Sequence, residues 1–259
     1  MTLFDSHCHL DDEKFAQDRE EVIQKVFDSG VGKLISAGYS LASSQRALQL
    51  ARKYPQIYTT CGISPNDLPE NVEKGEEELK QITQMAKDDK VVGIGEIGLD
   101  YYWNTENKAR QQEYFIQQIA IANELQLPIV IHTREAVMDT LTILKENPVT
   151  KKGVFHCCPL NPELVKEALK LGFYISLAGP VTFKNAKHAQ EVIQMVPEDR
   201  ILIETDSPYL SPEPERGKRN DPSKVRYIAQ KVAAIKEMSQ EEIAQITYQN
   251  ACRIFAIPE

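Results

Sequence analysis

The 259-residue chain carries 30 Lys+Arg against 38 Asp+Glu, a formal net charge of −8. That length suits one large domain or two small ones, and the acid excess argues against broad electrostatic tracking along nucleic acid. There is no apolar run of about eighteen residues that could span a membrane, no basic-then-apolar secretory signal at the N-terminus, and no Cys-x-x-Cys pair among Cys8, Cys61, Cys157, Cys158 and Cys252. The expectation is a cytoplasmic protein with reduced thiols and no membrane partner.

Short apolar, β-branched runs alternate along the chain with longer stretches of helical period. Leu3–His7 reads as a strand and Asp18–Ser29 as a helix, followed by Lys33–Ala37 and a helix over Ser43–Tyr54. Strand Ile57–Ile63 precedes helix Glu76–Lys87, and Val91–Ile97 precedes a long helix over Lys108–Leu125. Then come Pro128–Thr133 with Ala136–Glu146, Gly153–Cys157 with Pro162–Leu171, Phe173–Leu177 with Ala186–Met195, and strand Arg200–Thr205. Two helices close the chain, Ser223–Lys236 and Ser239–Phe255, the last opened by a Ser239/Glu242 capping box. Repeated strand-then-helix units without a linker predict an α/β fold. Residues 1–259 are read as a single-domain TIM-type (β/α)8 barrel with an additional C-terminal helix. A doubly wound open sheet is the alternative, but no Gly-rich phosphate fingerprint follows the first strand, and Gly93-Ile94-Gly95-Glu96 lies inside a strand.

Active sites of such barrels lie at the C-terminal ends of the strands. Polar residues ending the apolar runs are His7 and His9, Glu96, His132, His156 and Asp206, which takes in four of the five histidines. His7 and His9, two apart on a strand, share a face. Together these side chains suit two divalent cations such as zinc, manganese or iron, with magnesium less favoured by so much nitrogen. Glu96 sits where a carboxylate can bridge, with His7 and His9 to one side and His132 and His156 to the other. Cys8 and Cys157 each neighbour a histidine, and strand alternation turns them to the opposite face. Asp5 and Glu204 read as buried supports of the ligands, and His188 as a surface residue in a polar helix.

The runs Phe4-Asp5-Ser6-His7-Cys8-His9-Leu10, Gly93-Ile94-Gly95-Glu96-Ile97-Gly98-Leu99-Asp100-Tyr101, Ile131-His132-Thr133-Arg134-Glu135-Ala136, and Glu204-Thr205-Asp206-Ser207-Pro208-Tyr209-Leu210 followed by Arg216-Gly217-Lys218-Arg219-Asn220 resemble the TatD deoxyribonucleases of the amidohydrolase superfamily. The resemblance implies a barrel with a dinuclear divalent-metal site and metal-dependent phosphodiester hydrolysis. It implies His7, His9 and Asp206 as ligands of one metal, His132 and His156 as ligands of the other, and Glu96 as the shared bridge. It also implies a single-stranded DNA substrate, 3'-5' exonuclease action and a role in DNA repair. Two departures stand out: Gly62-Ile63-Ser64-Pro65 has Ser64 where relatives carry a substrate-facing histidine, and Cys157-Cys158-Pro159-Leu160 replaces a Phe-Ser-Gly-type turn.

The expected mechanism is attack on a phosphodiester by a bridging water acidified by both metals, with Asp206 taking its proton. Arg134, Arg216 and Lys218 are expected to hold phosphate oxygens, with Asn220, Lys184 and Ser64 as further substrate contacts. Arg134 reads equally well as one half of a salt bridge. The acidic balance favours strand ends over long duplex, and a monomer is expected. The rival readings are an ester, lactone or aminoacyl-ester hydrolase with the same metals, and a non-catalytic metal-binding or interaction barrel.

Overall fold

In the computed structural model, which describes Met1–Glu259, the eight strands lie side by side in chain order. They are β1 (Leu3–Cys8), β2 (Val31–Ala37), β3 (Ile57–Cys61), β4 (Val91–Asp100), β5 (Ile129–Arg134), β6 (Gly153–Phe155), β7 (Tyr174–Leu177) and β8 (Ile201–Ile203). Each pairs in parallel with the next. The seam between β8 and β1 is drawn together by irregular backbone: Asp206 N–H donates to His7 O at 2.9 Å and His9 N–H to Ser207 O at 2.7 Å. The Ser6 hydroxyl adds a hydrogen bond to Ile203 O at 3.0 Å. The result is a TIM-type barrel, nearly closed.

The helices are α1 (Arg19–Asp28), α2 (Leu41–Lys53), α3 (Val72–Met85), α4 (Lys108–Leu125), α5 (Val137–Glu146), α6 (Pro162–Lys170), α7 (Ala189–Met195), α8 (Val225–Lys236) and the additional C-terminal α9 (Gln240–Ile254). Local chemistry starts several of them. Ser40 Oγ accepts from Ser43 N–H ahead of α2, and Asn161 caps α6 with Pro162 in the first turn. Ser239 and Glu242 form the full capping box of α9.

Four C-terminal strand ends depart from the sequence reading by two residues or more. β4 runs on to Asp100, because Gly98, Leu99 and Asp100 keep their register with β5. β3 stops short at Cys61, and β6 and β8 stop short at Phe155 and Ile203. Beyond β6 and β8, Cys157 and Asp206 take positive φ values of 37° and 53°, which no strand accommodates.

Two apolar clusters hold the barrel. The larger packs strand residues against the surrounding helices. The smaller takes one residue from each of seven strands (Phe4, Ile35, Val92, Val130, Val154, Tyr174 and Leu202) and packs them on Ala251, Cys252, Phe255 and Ile257. On the five strands that carry candidate ligands these residues lie two to four positions before the first of them, so α9 and the residues after it plug the end of the barrel opposite the candidate site. No helix is long and apolar enough to cross a membrane.

Candidate metal centre

The strand ends bring the six candidate ligands together around Glu96. Its Oε2 lies 3.4 Å from His7 Nε2 and 3.6 Å from His9 Nε2. Its Oε1 lies 2.9 Å from His132 Nδ1 and 3.4 Å from His156 Nε2. Asp206 completes the first side, with Oδ1 at 3.3 Å from His9 Nε2 and 3.7 Å from His7 Nε2. One carboxylate therefore presents a separate oxygen to each of two histidine pairs.

Three of the four histidines have the far ring nitrogen engaged elsewhere. His9 Nδ1 lies 2.9 Å from Ala37 O, His132 Nε2 2.9 Å from Asp100 Oδ2, and His156 Nδ1 3.3 Å from Glu204 Oε1. A proton held on that outer nitrogen leaves the inner lone pair free for a cation. The exception is His7, whose Nδ1 is buried without a partner. Three triplets have their donor atoms within 4.8 Å of one another: His7–His9–Glu96, His7–His156–Asp206 and Glu96–His132–His156. Nitrogen-rich donors of this kind, with two carboxylates and a hydrogen-bonded outer layer, fit borderline divalent ions.

The electrostatics are those of a cluster that wants positive charge. Burial pushes the Glu96 carboxyl up, but His156, His132 and His7 outweigh it and hold it well below the ordinary carboxylate range. Burial likewise raises Asp206, and its hydrogen bond with His9 and the nearby His156 reverse the shift downward. His9 is lowered by burial, then lifted to about 9 by Asp206 and Glu96. Two ionised carboxylates thus crowd a nearly dry pocket, and in the absence of a cation only the imidazoles can take up protons to balance them.

The outer layer is built from β1, β4 and β8. Glu204 is fully buried, accepts Cys157 N–H at 2.6 Å, and leaves Oε2 without a partner. Asp5 accepts Thr205 N–H at 2.9 Å, tying β1 to the segment that carries Asp206. Asp100 is the support that the sequence reading missed. Its Oδ2 meets His132 and accepts Asn66 Nδ2 at 3.2 Å, and its Oδ1 accepts the N–H groups of Tyr102 and Trp103. Burial raises the Asp100 carboxyl, and these bonds pull it down to about 2. Placing the end of β4 at Ile97 hid it; the polar residue closing Ile97-Gly98-Leu99-Asp100 was the available signal.

A cleft of about 680 Å³ opens over the centre. Arg134 lies on its wall and makes no salt bridge; its guanidinium sits 3.8 Å from the Tyr102 ring centroid instead. Ser64 also lines the cleft, with its hydroxyl donating to Asp67 at 2.6 Å. Cys8 is turned away, its thiol meeting Ile35 O at 3.2 Å. Cys157 is a correction: β6 has ended before it, alternation no longer applies, and it lines the cleft.

The basic loop also departs from expectation. Asn220 is fully buried, and its Nδ2 donates to Thr205 O at 2.9 Å and Tyr209 O at 2.6 Å, so it ties the loop down and does not line the cleft. Lys218 pairs with Glu215, and Arg216 stacks on Phe183 at 4.1 Å; neither they nor the exposed Lys184 lines the cleft. His188 is exposed and pairs with Glu191.

The protein is a metal-dependent hydrolase, a barrel with this polar crown at its C-terminal strand ends. It belongs to the TatD related DNase family, whose pattern matches residues 4–256. It is 45% identical to the uncharacterized metal-dependent hydrolase YabD of Bacillus subtilis, over 98% of this chain and 99% of that protein. It is 33% identical to the 3'-5' ssDNA/RNA exonuclease TatD of Shigella flexneri, over 98% and 99%. Among solved structures, the TatD homologue YJJV of Escherichia coli K12 superposes with a TM-score of 0.93 at 28% identity, over 99% of this chain and 98% of that one.

Proposed function

We propose that the protein hydrolyses phosphodiester bonds at the ends of single-stranded nucleic acid, in the 3'-5' direction, using two divalent cations. The observation that carries this reading is the pair of Glu96 oxygens, each facing its own histidine pair. The name of the Shigella relative supports the substrate and polarity. One cation would be held by His7, His9, Asp206 and Glu96, the other by His132, His156 and Glu96. Bound there, divalent cations supply Lewis acidity toward a phosphoryl oxygen and make water acidic enough to act near neutral pH.

The chain's own groups do the rest. Asp206, ionised and facing the cleft, accepts a proton from the attacking water. Arg134 offers guanidinium N–H groups that no carboxylate occupies, and these bind non-bridging phosphate oxygens. The cleft admits a few nucleotides, and with a net charge of −8 the surface around it does not grip long duplex.

The test is hydrolysis of a single-stranded oligodeoxynucleotide by chelated protein with zinc, manganese or magnesium added back singly, beside a panel of small esters. Activity should vanish on chelation, return with at least one ion and exceed that on the esters. Asp206→Asn should stay folded and lose at least about a thousandfold in kcat. Full activity of the chelated protein, or near-wild-type turnover by Asp206→Asn, would refute the mechanism.

A further inference from the structure

Immediately after β4 the chain places two aromatic rings where water meets the cleft. Trp103 is 68% exposed and Tyr102 55%, the most exposed aromatic side chains in the protein. Burial of large rings is strongly favoured, so two adjacent exposed ones mark a surface that takes a partner. They are not loosely held. Asp100 Oδ1 accepts both backbone N–H groups, at 2.9 and 3.2 Å, and the rings meet edge to face with centroids 4.9 Å apart. Arg134 lies over Tyr102 and within 5.5 Å of the Trp103 centroid. The carboxylate that orients His132 therefore also fixes the aromatic turn.

Trp103 stands between two hollows. On one side it lines the cleft; on the other it borders a shallower recess with Pro65, Asn66, Asn104 and Asn107. Asn104 and Asn107 spend their Oδ1 atoms inside the loop, on the N–H groups of Glu106 and Asn107 and on Gln111 respectively. The Nδ2 of each is left as an uncommitted donor. A flat ring beside free amide donors, one step from a phosphate-binding arginine, matches the chemistry of a nucleobase with its carbonyl edge.

We propose that Trp103 is a stacking platform for one nucleobase of the substrate strand, with Asn104 and Asn107 facing the edge of that base and Arg134 holding the adjoining phosphate. This rests on the nucleic-acid reading above and adds to it a subsite for the base as well as the phosphate. An acidic protein cannot hold a strand by charge alone, and stacking supplies sequence-tolerant affinity.

Trp103 is the chain's single tryptophan, so its emission reports on the subsite directly. The metal-loaded Asp206→Asn protein is titrated with oligothymidylate and with a strand of equal length carrying tetrahydrofuran abasic residues. The expected result is quenching by the first and none by the second. In parallel, kcat/KM is measured on both strands for wild type, Trp103→Ala and Trp103→Phe. Trp103→Ala should lose about 5- to 100-fold on oligothymidylate, mostly through KM. It should match wild type on the abasic strand, and Trp103→Phe should recover most of the loss. Cleavage without quenching, with Trp103→Ala equal to wild type, would overturn the platform and leave the hydrolysis reading standing. Base-dependent quenching with no cleavage under any metal would keep the platform and overturn hydrolysis. Neither quenching nor cleavage would end both.

Discussion

At the scale of single residues, what was legible was parity. His7 and His9 share a face, and Glu96, His132 and His156 end apolar runs, so their convergence needed only the strand period and the barrel rule. Parity also marked Glu204 and Asp5 as buried supports, but it missed Asp100 behind His132 and could not show that Asn220 holds a loop. Glu204 is such a support, because its carboxylate orients His156 and takes Cys157 N–H. Glu204→Gln keeps the shape and removes the charge behind that imidazole. Its metal affinity, read by competition with a coloured chelator, should fall by about 10- to 100-fold; unchanged affinity would show that the charge is irrelevant. Asn220 is the opposite case. In sequence it belongs to a basic run that looks like a phosphate-binding loop, yet burial decides its role. Asn220→Ala leaves two carbonyls short of a donor and should lower unfolding free energy in urea by about 1–3 kcal/mol, with KM for the oligonucleotide unchanged.

At the scale of elements, the long strong signals gave the right boundaries: α4 spans Lys108–Leu125 as its periodicity predicts, and the capping box of α9 is present. Helix α3 begins at Val72, four residues before its reading, but the errors that bear on the site fall at the C-terminal ends of strands, where backbone leaves regular geometry to aim a side chain. There, alternation stops being a guide, and Cys157 joins the cleft. Extended β4 depends on Gly98, whose φ is +138° and whose added Cβ would lie 2.0 Å from His132 O. Gly98→Ala must push β4 away from β5 at the point where both deliver ligands. Strain of order 1–3 kcal/mol is expected, seen as a lowered Tm and weaker metal binding in the same variant. A Tm and an affinity equal to wild type would mean the strands can part there without consequence.

At the scale of the whole molecule, the closed architecture was readable from the regular alternation of runs, while the closing seam was not. Seven ladders pair strand with strand, but the eighth junction rests on His7 O, Ser207 O, Ser6 and Asp5 reaching across irregular backbone. The metal centre lies over that seam, with His7 and His9 on one side and Asp206 on the other. Cation binding should therefore stabilise the entire barrel: at a free ion concentration 100 times Kd, by about 2.7 kcal/mol. Calorimetry with and without chelator should show the higher Tm with metal; equal values would place the ion outside the native fold's energetics.

The plug formed by Ala251, Cys252, Phe255 and Ile257 carries a consequence for the newborn chain. These residues are synthesised after all eight strands, so a ribosome-bound nascent barrel has its histidines, Glu96 and Asp206 already outside the exit tunnel while the opposite mouth still stands open. The interior layer of Phe4, Val92, Val130, Val154 and Leu202 stays wet until the last helix docks. Completion of the barrel, and with it a rigid ligand set, is thereby tied to the docking of α9 rather than to the emergence of the ligands themselves.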